Sequence, residues 1–392
     1  MRVLHVITGL GAGGAEQQLR LLCRHHGPDV EVEVAVLAVP GAVGDLIRAE
    51  GTPVHAVPMA GNRDLRAVLR LARLMRRGRF DCVHTHLFRA GLHGRLAARL
   101  AGVPRIVATE HSLNEHVIEG RPTTRPGLAT LYRCGEALGH VSIAVSRSTR
   151  DRMRAWRVPA AKIVVVPNGV DAAAVAFSPA ARDAARRRWA IPAGAYVVGT
   201  AARLVALKRI DVLLDALARR PEVHGLVVGD GAERTALEQR CADLGIADRV
   251  VFTGETGDVA AALAAMDLFV SCGPQETYGL AMIEALAAGL PLLYVRCPAL
   301  EERPAADAPA ATRIEGTVDD VAAGIARAPR TDRVPAPVVA TYDIREVVRT
   351  VEELYRGLPV RSPAVPWRRP LRARSSRPHR SSRTRPDVAA TG

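Results

Sequence analysis

Val3-Leu-His-Val-Ile-Thr8 runs into Gly9-Leu-Gly-Ala-Gly-Gly14, and from Glu16 to His26 leucines recur at helical spacing. A β-branched run, a glycine turn and an amphipathic stretch, in that order, predict strand, tight turn and helix. The pattern repeats. Strand-like runs at Val30 to Val39, Cys82 to Thr85, Arg105 to Ala108 and Val141 to Val145 each lead into a helical or loop segment. A second series follows Lys162-Ile-Val-Val-Val-Pro-Asn-Gly-Val-Asp171, with runs at Tyr196 to Thr200, Gly225 to Val228, Arg249 to Thr253, Leu268 to Ser271 and Pro291 to Val295. Strands alternating with helices predict an α/β fold whose parallel sheets are covered on both faces. Two series predict two domains, separated between about Asn168 and Pro192, where turn residues give way to an Arg/Ala-rich segment.

Composition narrows the function. The chain has 392 residues, 48% hydrophobic and 24% charged, enough apolar matter for two cores and too much for wholesale disorder or a fibrous repeat. No 18-residue run is free of charge, so a spanning helix is not expected. Met1 to Ala15 is apolar but alternates like a strand and carries one basic residue, so it reads as a first core strand rather than a secretory signal. The six cysteines are scattered without a C-x-x-C pair, which excludes a disulfide framework and a zinc ribbon and fits a reducing cytoplasm. The net charge of +14 is uneven: residues 361–392 hold nine Arg and one Asp, leaving +6 elsewhere. This Arg, Ser and Pro tail is expected to be disordered. Aromatic residues are only 4%, too few for the stacking platforms of single-strand binders, and no specific nucleic acid is expected. Only two of the 54 basic residues are lysines, Lys162 and Lys208, which marks each as a place where arginine does not serve.

Gly9-x-Gly11-x-x-Gly14 after a strand suits a pyrophosphate at a helix N-terminus. A nicotinamide enzyme would also need an acid at the end of the second strand, and that strand ends Leu37-Ala-Val-Pro40. In the second series, Thr200-Ala-Ala-Arg203 ends a strand and Lys208 follows just before the helical pattern of Asp211 to Leu217. Two cations at the carboxyl end of a strand suit a phosphate-bearing ligand. Ser271-Cys-Gly-Pro-Gln-Glu-Thr-Tyr-Gly-Leu280 then puts Glu276 on a loop and Glu284 on the helix that begins at Leu280. Backbone N–H groups at Tyr278, Gly279 and Leu280 would face an anion, and the two carboxylates could accept hydrogen bonds from sugar or ribose hydroxyls. A glycosidase pair of carboxylates is the rival chemistry, but it leaves the cations and glycine loops unexplained.

Taken together and in order, Gly13-Gly-Ala-Glu16, Val166-Pro-Asn-Gly-Val-Asp171, Arg203 with Lys208, Val228-Gly-Asp-Gly231 and Glu276-x7-Glu284 resemble the family 4 retaining glycosyltransferases. The resemblance covers about Arg2 to Tyr355. It implies the GT-B fold: two Rossmann-like, doubly wound parallel-sheet domains facing across a cleft. The first would span residues 1–167 on the acceptor side and the second 168–340 on the donor side, with a closing helix at 341–358 and the tail at 359–392. It further implies a nucleotide-diphosphate sugar as donor, no metal and no other cofactor. Arg203 and Lys208 would neutralise the diphosphate, Gly13 and Gly14 would close on it from the other domain, and Glu276 would touch the transferred sugar. Glu284 would hold the ribose, with Gly229 and Gly231 near the base. His111, in Ala108-Thr-Glu-His-Ser112, falls where such enzymes often keep a histidine near sugar and acceptor. Catalysis would then rest on Glu276, His111, Lys208 and Arg203. The chain departs from its relatives' usual glycine pair and acid at Tyr294-Val-Arg-Cys-Pro-Ala-Leu-Glu-Glu302.

His84 and His86 end a strand two positions apart, with no third metal ligand evident, and read as cleft lining or packing. From Asn62 to Arg77, Leu65, Val68, Leu69, Ala72 and Met75 form one helical stripe, and Arg66, Arg70, Arg73 and Arg77 form the opposite one. Such a helix either packs on the sheet with a solvated arginine face or, with the tail, rests on an anionic membrane. The expected acceptor is a glycan or a lipid-linked glycan, and the expected place is the cytoplasm or the inner face of the membrane. The alternatives are a small acceptor such as phosphatidylinositol or an aglycone, a nucleotide-sugar epimerase, and a noncatalytic nucleic-acid binder using the tail.

Overall fold

The computed structural model describes residues 1–11, 13–38, 40–61, 64–330 and 332–359. The Arg-rich tail from residue 360 onward lies outside them.

The first sheet contains β1 (Arg2–Ile7), β2 (Glu31–Val36), β3 (Val54–Ala56), β4 (Cys82–His86) and β5 (Arg105–Glu110). A small hairpin, β6 (Val117–Ile118) and β7 (Arg121–Pro122), precedes its last two strands, β8 (Val141–Ala144) and β9 (Ile163–Val165). All seven sheet strands are parallel, in the order β3-β2-β1-β4-β5-β8-β9. The second sheet contains β10 (Tyr196–Ala201), β11 (Val223–Val228), β12 (Val250–Gly254), β13 (Leu268–Ser271), β14 (Leu292–Tyr294) and β15 (Ala311–Arg313). Its order is β12-β11-β10-β13-β14-β15, again all parallel. Both sheets therefore reverse winding direction once, between β1 and β4 and between β10 and β13. At such a switch point the flanking helices leave on opposite faces and open a crevice beyond the strands' carboxyl ends. The glycines follow β1, Arg203 and Lys208 follow β10, and Glu276 follows β13, with Glu284 on the next helix, while His84 and His86 lie within β4 and His111 follows β5.

The central strands are buried on both faces, which explains their continuous apolar runs. Three departures from the sequence reading have physical reasons. Ile163–Val165, which the sequence reading does not assign to a strand, is the edge strand of the first sheet, its place fixed by pairing with β8. The Arg/Ala-rich segment between the series contains a helix, Pro179–Arg188, capped by the Ser178 side chain and started by proline. Its Arg186 is buried and bonded to Asp267 and the carbonyls of Ala265 and Ala193, so it is a core fastener rather than linker charge. In the helix Leu65–Gly78 the buried side is Ala67, Val68, Leu71, Ala72 and Met75, while Leu65 and Leu69 are 68% and 50% exposed beside the arginines.

Two segments cross between the sheets side by side. The Val170 N–H donates to the Tyr342 carbonyl at 2.7 Å, and the Ile344 N–H donates to that of Val170 at 3.2 Å. A side chain at Gly169 would run into the Ile344 backbone, so glycine lets the two crossings touch. Helix Ile344–Tyr355 then returns to the first sheet, burying Val347, Val348, Val351 and Tyr355 against Val3, Cys82, Val107 and Ile143.

Candidate functional site

At the switch point of the second sheet, β10 ends in Ala201 and the chain turns through a 3-10 segment, Ala206–Lys208. Arg203 is exposed on the way. Gly229 (φ +122°) and Gly231 lie against this turn: a Cβ on either would collide with the carbonyl oxygen of Ala202 or Leu204. The Leu204 N–H donates to the Asp230 carbonyl and the Glu233 N–H to that of Leu204. The two glycines thus serve the stacking of the β11 loop on the cation-bearing turn, whatever else approaches them.

The β13 loop supplies the acids. Glu276 forms an ion pair with Lys208, both side chains only partly exposed. Gly279, at φ +102°, sits where a side chain would strike Cys297, and from it the helix Leu280–Ala287 begins. The first N–H groups of that helix have no carbonyl four residues back to bond. Glu284 is half-buried on this helix, and burial alone pushes its carboxyl up to about 7. No neighbouring charge or hydrogen bond offsets that desolvation. The Tyr278 side chain is not available to a ligand: its hydroxyl donates to the Asn168 carbonyl at 2.8 Å and its ring packs edge-on to Tyr342. It clamps the crossing between the sheets, so only its backbone remains for anion contact. The atypical stretch folds as β14 and a short helix, Pro298–Glu301. It braces the same loop, with the Ala299 N–H donating to the Tyr278 carbonyl at 3.1 Å.

The first domain meets this loop directly. Helix Gly14–His25 starts at the β1 turn, and a Cβ on Gly14 would lie 3.9 Å from Leu280, so the two helix N-termini face each other. The Ser146 hydroxyl donates to the Thr277 carbonyl at 3.1 Å, and the Ser148 N–H to Glu302 at 3.1 Å. Glu16 lies in the first turn of helix Gly14–His25. Burial raises its carboxyl, and the charge of Arg203, from the other domain, acts against that rise. Gly13 is tight against the Glu16 carboxylate.

His111 follows β5, its ring stacked on that of His86, with Nε2 3.2 Å from His86 Nδ1. Burial pushes it down to about 3, so it is neutral, and its Nδ1 is buried without a partner. His84 is turned into the core, bonded to Tyr355 and Thr109, and lines no cleft. The register sets His5 of β1 opposite His84, and nitrogens of His5, His84 and His86 come within 4.8 Å of one another. This third histidine had no local signal. Every ring nitrogen of the three has a hydrogen-bond partner, so the group is a satisfied network and not a vacant metal cage.

Among the described residues no helix is long and apolar enough to cross a membrane. The profile of Glycosyltransferase Family 4 matches residues 12–174, and that of Glycosyl transferases group 1 matches residues 181–328. The chain is 32% identical over 318 residues to a D-inositol 3-phosphate glycosyltransferase of Thermobispora bispora, covering 74% of this chain and 72% of that one. It is 27% identical over 289 residues to the Escherichia coli UDP-Gal:alpha-D-GlcNAc-diphosphoundecaprenol alpha-1,3-galactosyltransferase, covering 70% of each. Among solved structures, Anabaena HepE, crystallised with UDP and glucose, superposes with a TM-score of 0.77 at 22% identity, over 91% of this chain and 100% of that one. Two parallel-sheet domains in this order, with both profiles matched in sequence, place the chain among the family 4, group 1 glycosyltransferases of the GT-B fold.

Proposed function

We propose that the chain transfers a sugar from a nucleotide-diphosphate donor to a lipid-linked glycan, with retention of anomeric configuration and without a metal. The observation that carries the donor side is the Lys208–Glu276 pair at the switch point, beside Arg203 and under two facing helix N-termini. An arriving diphosphate competes with Glu276 for the Lys208 ammonium. The released carboxylate is then free to accept hydrogen bonds from sugar hydroxyls. Arg203, Lys208 and the N–H groups of Gly14 and Leu280 are fixed before the bond breaks, so they stabilise the charge growing on the leaving diphosphate at little reorganisation cost. Glu284 would take the ribose and His111 the sugar or acceptor. Retention follows from front-side displacement, in which the departing phosphate also receives the acceptor proton.

A lipid-linked acceptor is favoured by the exposed Leu65 and Leu69 among Arg66, Arg70, Arg73 and Arg77, a face suited to an anionic membrane surface. A second reading, transfer to inositol phosphate or another small soluble acceptor, is supported by the relative from Thermobispora bispora. Transfer from UDP- and GDP-sugars to polyprenyl-diphosphate glycans in vesicles, set against inositol phosphate in solution, separates the two. Lys208→Ala and Glu276→Ala should each lower turnover about a hundredfold with melting temperature nearly unchanged, since a partly exposed pair adds only about 1 kcal/mol. Unchanged turnover in both variants would refute the site.

A further inference from the structure

A continuous line of buried hydrogen bonds leaves His111 on the side away from its free nitrogen. His111 Nε2 meets His86 Nδ1 at 3.2 Å, His86 Nε2 meets His5 Nδ1 at 3.0 Å, and His5 Nε2 meets His26 Nε2 at 3.3 Å. His26 Nδ1 then meets Glu352 Oε1 at 3.1 Å. Each imidazole spends both nitrogens except His111, whose Nδ1 is buried and unpartnered. The line joins four segments of the first domain to the closing helix: β1, the end of helix Gly14–His25, β4 and the β5 loop. His5 and His86 are fully buried, and the His26 side chain is 2% exposed.

The polarity of this line follows from its far end. The Glu352 carboxylate also accepts from the Gly27 N–H at 2.8 Å and faces Arg356 at 3.3 Å, and the His26 bond holds it down at about 2. An ionised carboxylate only accepts, so His26 Nδ1 carries hydrogen. Burial lowers His5, His86 and His111, each well below the usual imidazole range, so these rings are neutral. With each ring donating toward Glu352 every bond is filled, and the position left without hydrogen is His111 Nδ1. The opposite polarity would leave an N–H on that buried nitrogen with no acceptor.

We propose that His86, His5, His26 and Glu352 act as a positioning relay that holds His111 in its Nε2–H tautomer, with the Nδ1 lone pair offered to a hydroxyl hydrogen of the bound sugar or acceptor. This rests on the reading of His111 as the residue that meets the sugar or acceptor. The relay also gives the closing helix a second role, because its Glu352 sets the tautomer of a residue in the other half of the chain's sequence. Tyr355, on the same helix, bonds only to His84, which lies beside the line and not in it.

Nitrogen-15 spectra of the full chain labelled at histidine report each ring's tautomer directly. The unmutated protein should show His111 neutral, with hydrogen on Nε2. Glu352→Ala and His5→Phe should each convert this signal to a mixture of tautomers. They should lower kcat about tenfold to a hundredfold, the range found when groups that orient a functional side chain are removed, with donor KM within about twofold. Tyr355→Phe, of similar burial but off the line, should leave tautomer and kcat as they were. Hydrogen on Nδ1 in the unmutated chain overturns the relay even if every variant fails to fold. An unaltered tautomer and kcat in folded Glu352→Ala also overturns it. The expected tautomer in a chain that turns over no nucleotide sugar would instead refute the transferase reading and the offer of Nδ1 to a sugar.

Discussion

Replacing Glu284 with glutamine should make the protein more stable and a poorer binder of its donor. Burial moves this carboxyl from 4.5 to about 7, and no neighbouring charge or hydrogen bond offsets the cost. Below pH 4.5 the group is protonated folded and unfolded, and contributes no difference. Between 4.5 and 7 the folded form holds a proton that the unfolded chain has lost, so stability falls as pH rises through this window. Above 7 the penalty is full, about 3 kcal/mol for a displacement of this size, and solvent at the half-buried edge reduces it to about 1–3 kcal/mol. Glutamine has the same shape and no charge to bury. Glu284→Gln should therefore melt several degrees higher at pH 8, with the gap closing as pH falls toward 4.5. If Glu284 holds the ribose as proposed, a nucleoside diphosphate should bind the variant about tenfold to a hundredfold more weakly, as expected for loss of a hydrogen bond to a charged group. The assay is thermal melting of both proteins from pH 4.5 to 8.5, with and without UDP or GDP. A variant no more stable at pH 8, or one that binds nucleotide as tightly, would refute the reasoning.

Gly229→Ala should cost at least about 2 kcal/mol and weaken donor binding, because the left-handed backbone and the Ala202 carbonyl both exclude a Cβ; denaturant unfolding with nucleotide titration measures both. Leu65→Asp with Leu69→Asp should reduce pelleting with anionic vesicles while leaving melting temperature and donor binding unchanged, since both side chains are already in solvent. Equal pelleting would remove the membrane argument for a lipid-linked acceptor.

Long parallel strands were legible because burial on both faces demands unbroken apolar runs. Leu268–Ser271 falls on the residues read from sequence, and Arg2–Ile7 is shifted by one. Strands Val54–Ala56, Ile163–Val165 and Ala311–Arg313 were not, since three residues carry no alternation and their place is fixed by a neighbouring edge. The helix Pro179–Arg188 has a proper cap, but its buried residues include Arg186, which no apolar pattern would show. The cations, acids and glycines were recognisable by type and by position at strand ends. Their pairing was not: Lys208 and Glu276 are 68 positions apart, and the charge of Arg203 acts on Glu16 from the other domain. The histidine line is less legible still, because His26 and Glu352 are separated by 326 positions and meet through the returning helix. The clamp role of the Tyr278 side chain was not legible either, because its hydroxyl reaches the Asn168 carbonyl 110 positions away.

The most direct test of the account is calorimetric titration of the unmutated chain and of an Arg203→Ala/Lys208→Ala variant with UDP and GDP. The account predicts that one nucleoside diphosphate binds the unmutated chain. It also predicts that binding weakens at least about a hundredfold when both cations are gone, as expected for two charge-assisted contacts. Equal affinity in the two proteins, or no binding of either nucleotide to the unmutated chain, would contradict a diphosphate-sugar site at the switch point of the second sheet.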